Sequence, residues 1–253
     1  MQTKKSGYKR PDLKFKFSVH GVNFFYTITD MREMIKRNLD LKYLIPFIAN
    51  EAIIVLSTLS VIIFLKNENY SLMELISTII MMIFIFFFFR KDFNKDKLKV
   101  DKETFRLIIK YTVIIFSLNI ITTSIENLLS TLLNVSLDTT NQGMIIEMLY
   151  YNPFSISVSV ILAGIIEEML YRYSIFRIFK NRKAAFFISW LMFAFGHFSG
   201  FNLAAYISMI SYLTLSFALT YIYYKYDDIR IVCGVHLLNN TIGIIEMMVL
   251  MFM

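Results

Sequence analysis

The chain has 253 residues, of which 57% are hydrophobic and 18% charged, with 25 Phe, 15 Tyr, 15 Met and 3 Pro. An apolar share of that size, gathered into long runs, excludes an ordinary soluble domain and points to membrane spans packed as one helical bundle. The net charge of +7 would suit nucleic acid, but no nucleic-acid-binding module is readable, and cytoplasmic loops of membrane proteins carry the same Lys and Arg excess.

Residues 1–42 read as a basic cytoplasmic or interfacial tail with ten Lys or Arg. They lack the short apolar core and small-residue cleavage site of a secretory signal, so the first apolar segment is expected to act as an uncleaved anchor. Leu13 to Val19 alternates apolar and basic residues, and Asp30 to Asp40 suits a short capped helix. Both stretches fit either an anionic inner leaflet or water. His20 is remote from any other candidate ligand and reads as a surface residue.

Seven apolar segments follow, at about 43–65, 72–89, 107–131, 154–175, 184–201, 203–224 and 229–252, each of a length that suits a membrane span. The third is the weakest, because Asn119, Glu126 and Asn127 interrupt it. The expected fold is therefore all-α, a polytopic transmembrane bundle of about seven spans. The domains expected are the tail at 1–42, N-terminal transmembrane helices at 43–133, an external loop at 134–153 and a helical core at 154–253. Loop charge supports the count. The tail, 90–110, 176–183 and the turn before the last segment hold 24 of the 26 basic residues, Lys66 and Arg172 being the others. That alternation puts the N-terminus inside and the C-terminus outside. The single Cys233 lies in a span, so no disulfide forms within the chain.

Ionisable residues inside spans are functional candidates, since a charge at mid-bilayer costs at least about 2.5 kcal/mol. The fourth segment reads Gly164-Ile-Ile-Glu167-Glu168-Met-Leu-Tyr-Arg172. Glu168 and Arg172 are four apart and share a helix face, so they pair and lower the cost of burial. Glu167 is turned by about 100° from Glu168 and is left free for chemistry; an ion cluster that only locks helices together is the alternative. The fifth segment ends Phe193-Ala-Phe-Gly196-His197. Phe193 stacks beneath His197 and shields its imidazole, while Gly196 allows close helix approach. The last segment carries His236 and Asn240 on one face. The sixth has no ionisable residue in its apolar run and is rich in small ones. Asn50, Glu51 and Glu246 stay unassigned, with helix packing as their plain reading.

These segments, Glu-Glu-x-x-x-Arg, Phe-x-x-x-His and His-x-x-x-Asn in order on hydrophobic helices, resemble the CAAX protease and bacteriocin-processing (CPBP, or Abi) family of intramembrane proteases. The resemblance covers about 154–245 and implies that 154–253 is a catalytic core. It implies an intramembrane endopeptidase in which Glu167 activates water, His197 helps hold it, and His236 with Asn240 stabilises the oxyanion. Glu168, Arg172 and Phe193 would support them. It further implies a peptide or membrane-protein substrate within the lipid, in peptide or bacteriocin processing or self-immunity. Zinc stays open: Glu167, His197 and His236 match a three-ligand site in residue type, but no His-Glu-x-x-His helix is present. Two other readings remain. One is a non-proteolytic scaffold of the same fold binding a partner such as a sensor kinase. The other is a proton-coupled transporter, which lacks repeated halves.

Overall fold

The computed structural model describes residues 14–19, 22–27, 39–64, 70–93, 99–137 and 140–251. Met1–Asp40 and Leu41–Met253 are separate compact units. In the first, β1 (Lys14–Val19) pairs antiparallel with β2 (Val22–Thr27), from Lys14 opposite Thr27 to Val19 opposite Val22. The tail thus contains a hairpin. The apolar–basic alternation noted there has the period of two that belongs to a strand. His20 and the helix expected from Asp30 fall outside the described residues.

The second unit is helical. A 3₁₀ turn (Leu41–Leu44) leads into α1 (Ile45–Phe64), followed by α2 (Tyr70–Phe89), α3 (Lys102–Leu133) and α4 (Thr140–Tyr151). Next come α5 (Pro153–Ile178), α6 (Arg182–Gly196), α7 (Leu203–Tyr226) and α8 (Ile229–Met251). The boundaries are written in local chemistry. Asp101, Asn152, Asn181 and Asn202 each accept hydrogen bonds from backbone N–H groups of the following first turn, which satisfies donors that a helix start leaves open. Pro153 stands in the first turn of α5, where its missing N–H costs nothing. Asn134 and Asp227 close α3 and α7 in the left-handed conformation, which short polar residues tolerate.

Among the described residues, six helices are long and apolar enough to cross a membrane, namely the first three and α5, α7 and α8. The protein is therefore a multi-pass membrane protein, in keeping with the expected polytopic bundle, and six of the seven apolar segments form full-length spans among the described residues. The exception is α6. It has 15 residues, about 22 Å at 1.5 Å per residue, against a hydrocarbon core of about 30 Å. It ends early because the segment 197–202 turns away before Asn202 caps α7. The stretch expected as a loop at 134–153 also differs, since α4 occupies twelve of its residues.

Cross-helix contacts show the chain reversing at every connection between the long elements. Between α6 and α7, Arg182 meets Asp227, Ser189 meets Thr220 and Trp190 donates to the Leu213 carbonyl, an antiparallel sequence. Between α5 and α8, Glu168 meets His236 and Val160 meets Asn240, again antiparallel. The α3 helix runs antiparallel to α7, through Tyr111–Tyr226 and Glu126–Ser211, and parallel to α8, through Asn119–Asn239. Buried residues are densest on α5 and α7, whereas Ile48, Leu56, Phe86 and Phe87 are exposed to the surroundings. In a multi-pass protein those surfaces are the lipid-facing ones.

Candidate active site

The site is built on the middle of α5. The regular helix runs to Glu167, and Glu168–Ser174 continues as a π-helix before the α-helical turn Ile175–Ile178 closes the element. A π segment inserts extra residues per turn and recurs at functional sites. Here six of its seven residues are buried, Glu168 and Arg172 among them. The sequence carries no Gly or Pro in 168–174 that would mark the change.

The two adjacent carboxylates part as their spacing implies. Glu168 has no exposed side-chain surface, and Arg172, equally buried, places Nη1 3.2 Å from Glu168 Oε1. Arg172 Nη2 donates to the Ser216 carbonyl on α7 at 3.3 Å, and its guanidinium lies 4.2 Å over the Phe193 ring. Glu168 Oε1 also accepts from His236 Nδ1 at 2.7 Å. The carboxylate therefore joins an arginine on its own helix to a histidine on α8. The shared anion pairs these buried charges through Oε1 alone, while Glu168 Oε2 and Arg172 Nε and Nη1 have no hydrogen-bond partner among the described residues.

Glu167 is different. Its side chain is 25% exposed and stands between two imidazoles, with Oε1 3.9 Å from His197 Nε2 and Oε2 3.5 Å from His236 Nε2. Each imidazole is held from behind. His197 Nδ1 lies 3.0 Å from the Phe193 carbonyl, which can only accept, so that nitrogen carries a hydrogen. His236 Nδ1 faces Glu168 in the same way. Both Nε2 atoms are thereby aimed at Glu167.

Phe193 is fully buried and is the common floor. Its ring centroid lies 4.8 Å from that of His197, 5.8 Å from His236 and 5.4 Å from Tyr171. Tyr212 of α7 also stacks on His197, at 4.7 Å and nearly parallel. Asn240 donates its amide to the Val160 carbonyl at 2.9 Å, which ties α8 to α5 one turn above the carboxylates. Gly164 makes the approach of α8 possible, because a Cβ there would lie 3.2 Å from both Asn240 Nδ2 and His236 Cγ. At Gly196 the neighbour is the Tyr171 hydroxyl, 3.1 Å from where a Cβ would stand.

The fold brings Glu167, His197 and His236 together, with Glu168, Arg172 and Phe193 packed directly behind them. Asn240 is beside His236 on α8, and its described hydrogen bond runs to α5, not to Glu167. Tyr212 and Val160 were not singled out in the sequence as parts of the site. Their roles depend on which helix faces which, and no local pattern announces that. Glutamate and histidine are donor types that zinc accepts. Among the described residues, however, no three His, Cys, Asp or Glu side chains converge as a metal-holding group.

Residues 149–242 match the family model described as type II CAAX prenyl endopeptidase Rce1-like. The match covers 94 of the 253 residues. It agrees with the resemblance to CPBP proteases and contains Glu167, His197, His236 and Asn240. The chain is also similar to three UPF0177 proteins of Lactococcus lactis subsp. lactis (strain IL1403). It is 32% identical to YvdC over 138 residues, which cover 53% of this chain and 51% of that protein. It is 34% identical to YaiF over 143 residues, covering 53% of this chain and 62% of that protein. With YajF the identity is 42% over 69 residues, 27% of this chain and 32% of that protein. The aligned part thus spans little more than half the length of the two longer matches. No solved structure matches the chain significantly.

Proposed function

We propose that the protein is an intramembrane endopeptidase that hydrolyses a peptide bond of a membrane-associated protein or peptide with a water activated by Glu167. The observation that carries this reading is the Glu167 carboxylate set between two Nε2 atoms at 3.5 and 3.9 Å, each imidazole held through its Nδ1. The separation at His197 exceeds a direct hydrogen bond and suits a water shared by the carboxylate and the imidazole. A neutral imidazole offers an acceptor at Nε2, so a water between the two groups donates one hydrogen to each. That is the geometry from which a general base takes a proton.

In the proposed reaction the water oxygen bonds to the substrate carbonyl carbon while its proton passes to Glu167. The carbonyl oxygen becomes an oxyanion, held by His236 and Asn240. The carbon–nitrogen bond then breaks, and Glu167 returns the proton to the leaving amine. For His236 to donate from Nε2 while Nδ1 is bonded to Glu168, both nitrogens must carry hydrogen, so this role requires the imidazolium form. Preorganised donors of this kind, in a site largely closed to water, stabilise developing charge strongly. Processing of a peptide or bacteriocin, or self-immunity, is the biological setting in keeping with the family.

The test compares membranes and secreted peptides from cells carrying the wild type and Glu167→Gln. The expected result is a cleavage product found only with the wild type. No differential product at equal protein level, together with an unchanged phenotype, assigns the chain to a partner-binding scaffold instead. Metal analysis of the purified protein, with activity measured before and after chelation, tests zinc separately. A chelation loss restored by zinc would assign Glu167, His197 and His236 as ligands.

A further inference from the structure

Outside the matched domain, α3 carries a polar stripe through an apolar span. Asn119, Thr122 and Glu126 are spaced by three and four residues and so lie on one helix face. This face meets both helices that flank the site. Asn119 Nδ2 donates to Asn239 Oδ1 of α8 at 2.8 Å, and Ser211 Oγ of α7 donates to Thr122 Oγ1 at 3.1 Å. Glu126 Oε1 accepts from the backbone N–H of Ser211 at 2.8 Å.

The last contact is unusual because Ser211 is inside α7. An α-helical N–H at that position is ordinarily committed to the carbonyl four residues earlier. A side chain competing for a rung of that ladder alters the local course of a helix. The next residue is Tyr212, whose ring stacks on His197 at 4.7 Å with an interplanar angle of 23°. The imidazole also packs against the Phe193 ring, and the Phe193 carbonyl holds Nδ1. The plane of His197, and with it the direction of Nε2, is therefore set jointly by Phe193 of α6 and by Tyr212 of α7.

We infer that Glu126 is a positioning residue for His197: by holding the Ser211 N–H it fixes Tyr212 against the imidazole and so aims Nε2 at Glu167. A carboxylate within a span is costly, and this function accounts for its place on α3. Asn119 reaches α8 differently, through the side chain of Asn239 one residue before Asn240. The catalytic meaning of this arrangement rests on the protease reading, but the geometric statement does not.

The chain has three histidines, so ¹⁵N-histidine labelling of the full protein in phospholipid nanodiscs yields assignable ring resonances. Glu126→Ala and Tyr212→Leu are expected to move the ring nitrogens of His197 and leave those of His236 in place. Glu126→Gln is expected to return them towards wild type, because its amide oxygen still accepts from Ser211. If Glu126→Ala does not fold, Glu126→Asp serves, since it keeps the charge and withdraws the carboxylate by one methylene. An unmoved His197 in the Glu126 variants overturns the inference. So does an equal movement of His197 and His236, or a Gln variant as displaced as Ala. With a cleavage assay in hand, Glu126→Ala should lower kcat about tenfold with KM little changed, the scale seen when orienting partners are removed. A wild-type protein that cleaves nothing would sink the protease reading while leaving the resonance result to decide the positioning role.

Discussion

Glu167 and Glu168 are neighbours of identical chemistry, and their surroundings divide their tasks. One is 25% exposed beside two Nε2 atoms, while the other has no exposure and is bonded to Arg172 and His236. Glu167→Gln should abolish product formation and leave the thermal unfolding of the purified protein near that of wild type. Removing one member of a buried pair strands the other, at about 3–5 kcal/mol. Arg172→Met should accordingly lower the unfolding temperature markedly, and Glu168→Gln should lower both stability and activity, measured by thermal unfolding in detergent and by product formation. At Gly164 the effect should fall on activity instead. A methyl group there would press on His236 and Asn240 from 3.2 Å, moving them by a few tenths of an ångström. Since a displacement of about 1 Å can cost about a hundredfold, Gly164→Ala should reduce the cleavage rate roughly tenfold, read in the same assay.

Three elements carry their information in different ways. The α5 helix was legible as a span, and its Glu168–Arg172 pairing followed from a spacing of four. Its π-helical stretch was not legible, because an extra residue per turn leaves no compositional mark when the flanking residues are apolar. The early end of α6 was hidden for a related reason: the apolar run continues through Phe198 and Phe201 although the helix stops at Gly196. Hydropathy alone therefore lengthened this segment to a full span. In α3 the polar residues were visible as interruptions, while their purpose depended on partners about 85–120 residues away in sequence, at Ser211 and Asn239. Asn119→Leu leaves the Asn239 carbonyl oxygen without its donor. It should destabilise the fold by about 0.6–2 kcal/mol, the range of interhelical hydrogen bonds in membranes, read as a fall in the unfolding temperature.

Across the molecule, the alternation of loop charge agrees with the reversals seen in the packing. The described residues at one end of the bundle include Arg90, Lys91, Lys99, Lys102, Arg177, Arg182, Lys225 and Arg230, brought together by contacts such as Arg182 with Asp227 and Arg230 with the Lys99 carbonyl. By the positive-inside tendency this end is expected to face the cytoplasm. Reporter fusions test the assignment. A cytoplasmic reporter inserted at 94–98 should be active, and one joined after Met253 should be active only in a form that works outside the membrane. The opposite pattern would invert the topology and move the site to the other leaflet.

Periodic and compositional features, which depend only on neighbours along the chain, were sufficient for the membrane environment, the helical class, most span positions and the identity of the ionisable residues. Those properties come from local hydrophobicity, helix geometry and the high cost of burying a charge, all of which act at short sequence range. The hairpin in the tail and the shortness of α6 needed the folded chain. So did the bond from Glu168 to His236, the stacking of Tyr212 on His197 and the contact of Glu126 with Ser211. Each of these is a meeting between elements, or a departure from regular geometry that such a meeting sustains, and the partner is chosen by packing in three dimensions.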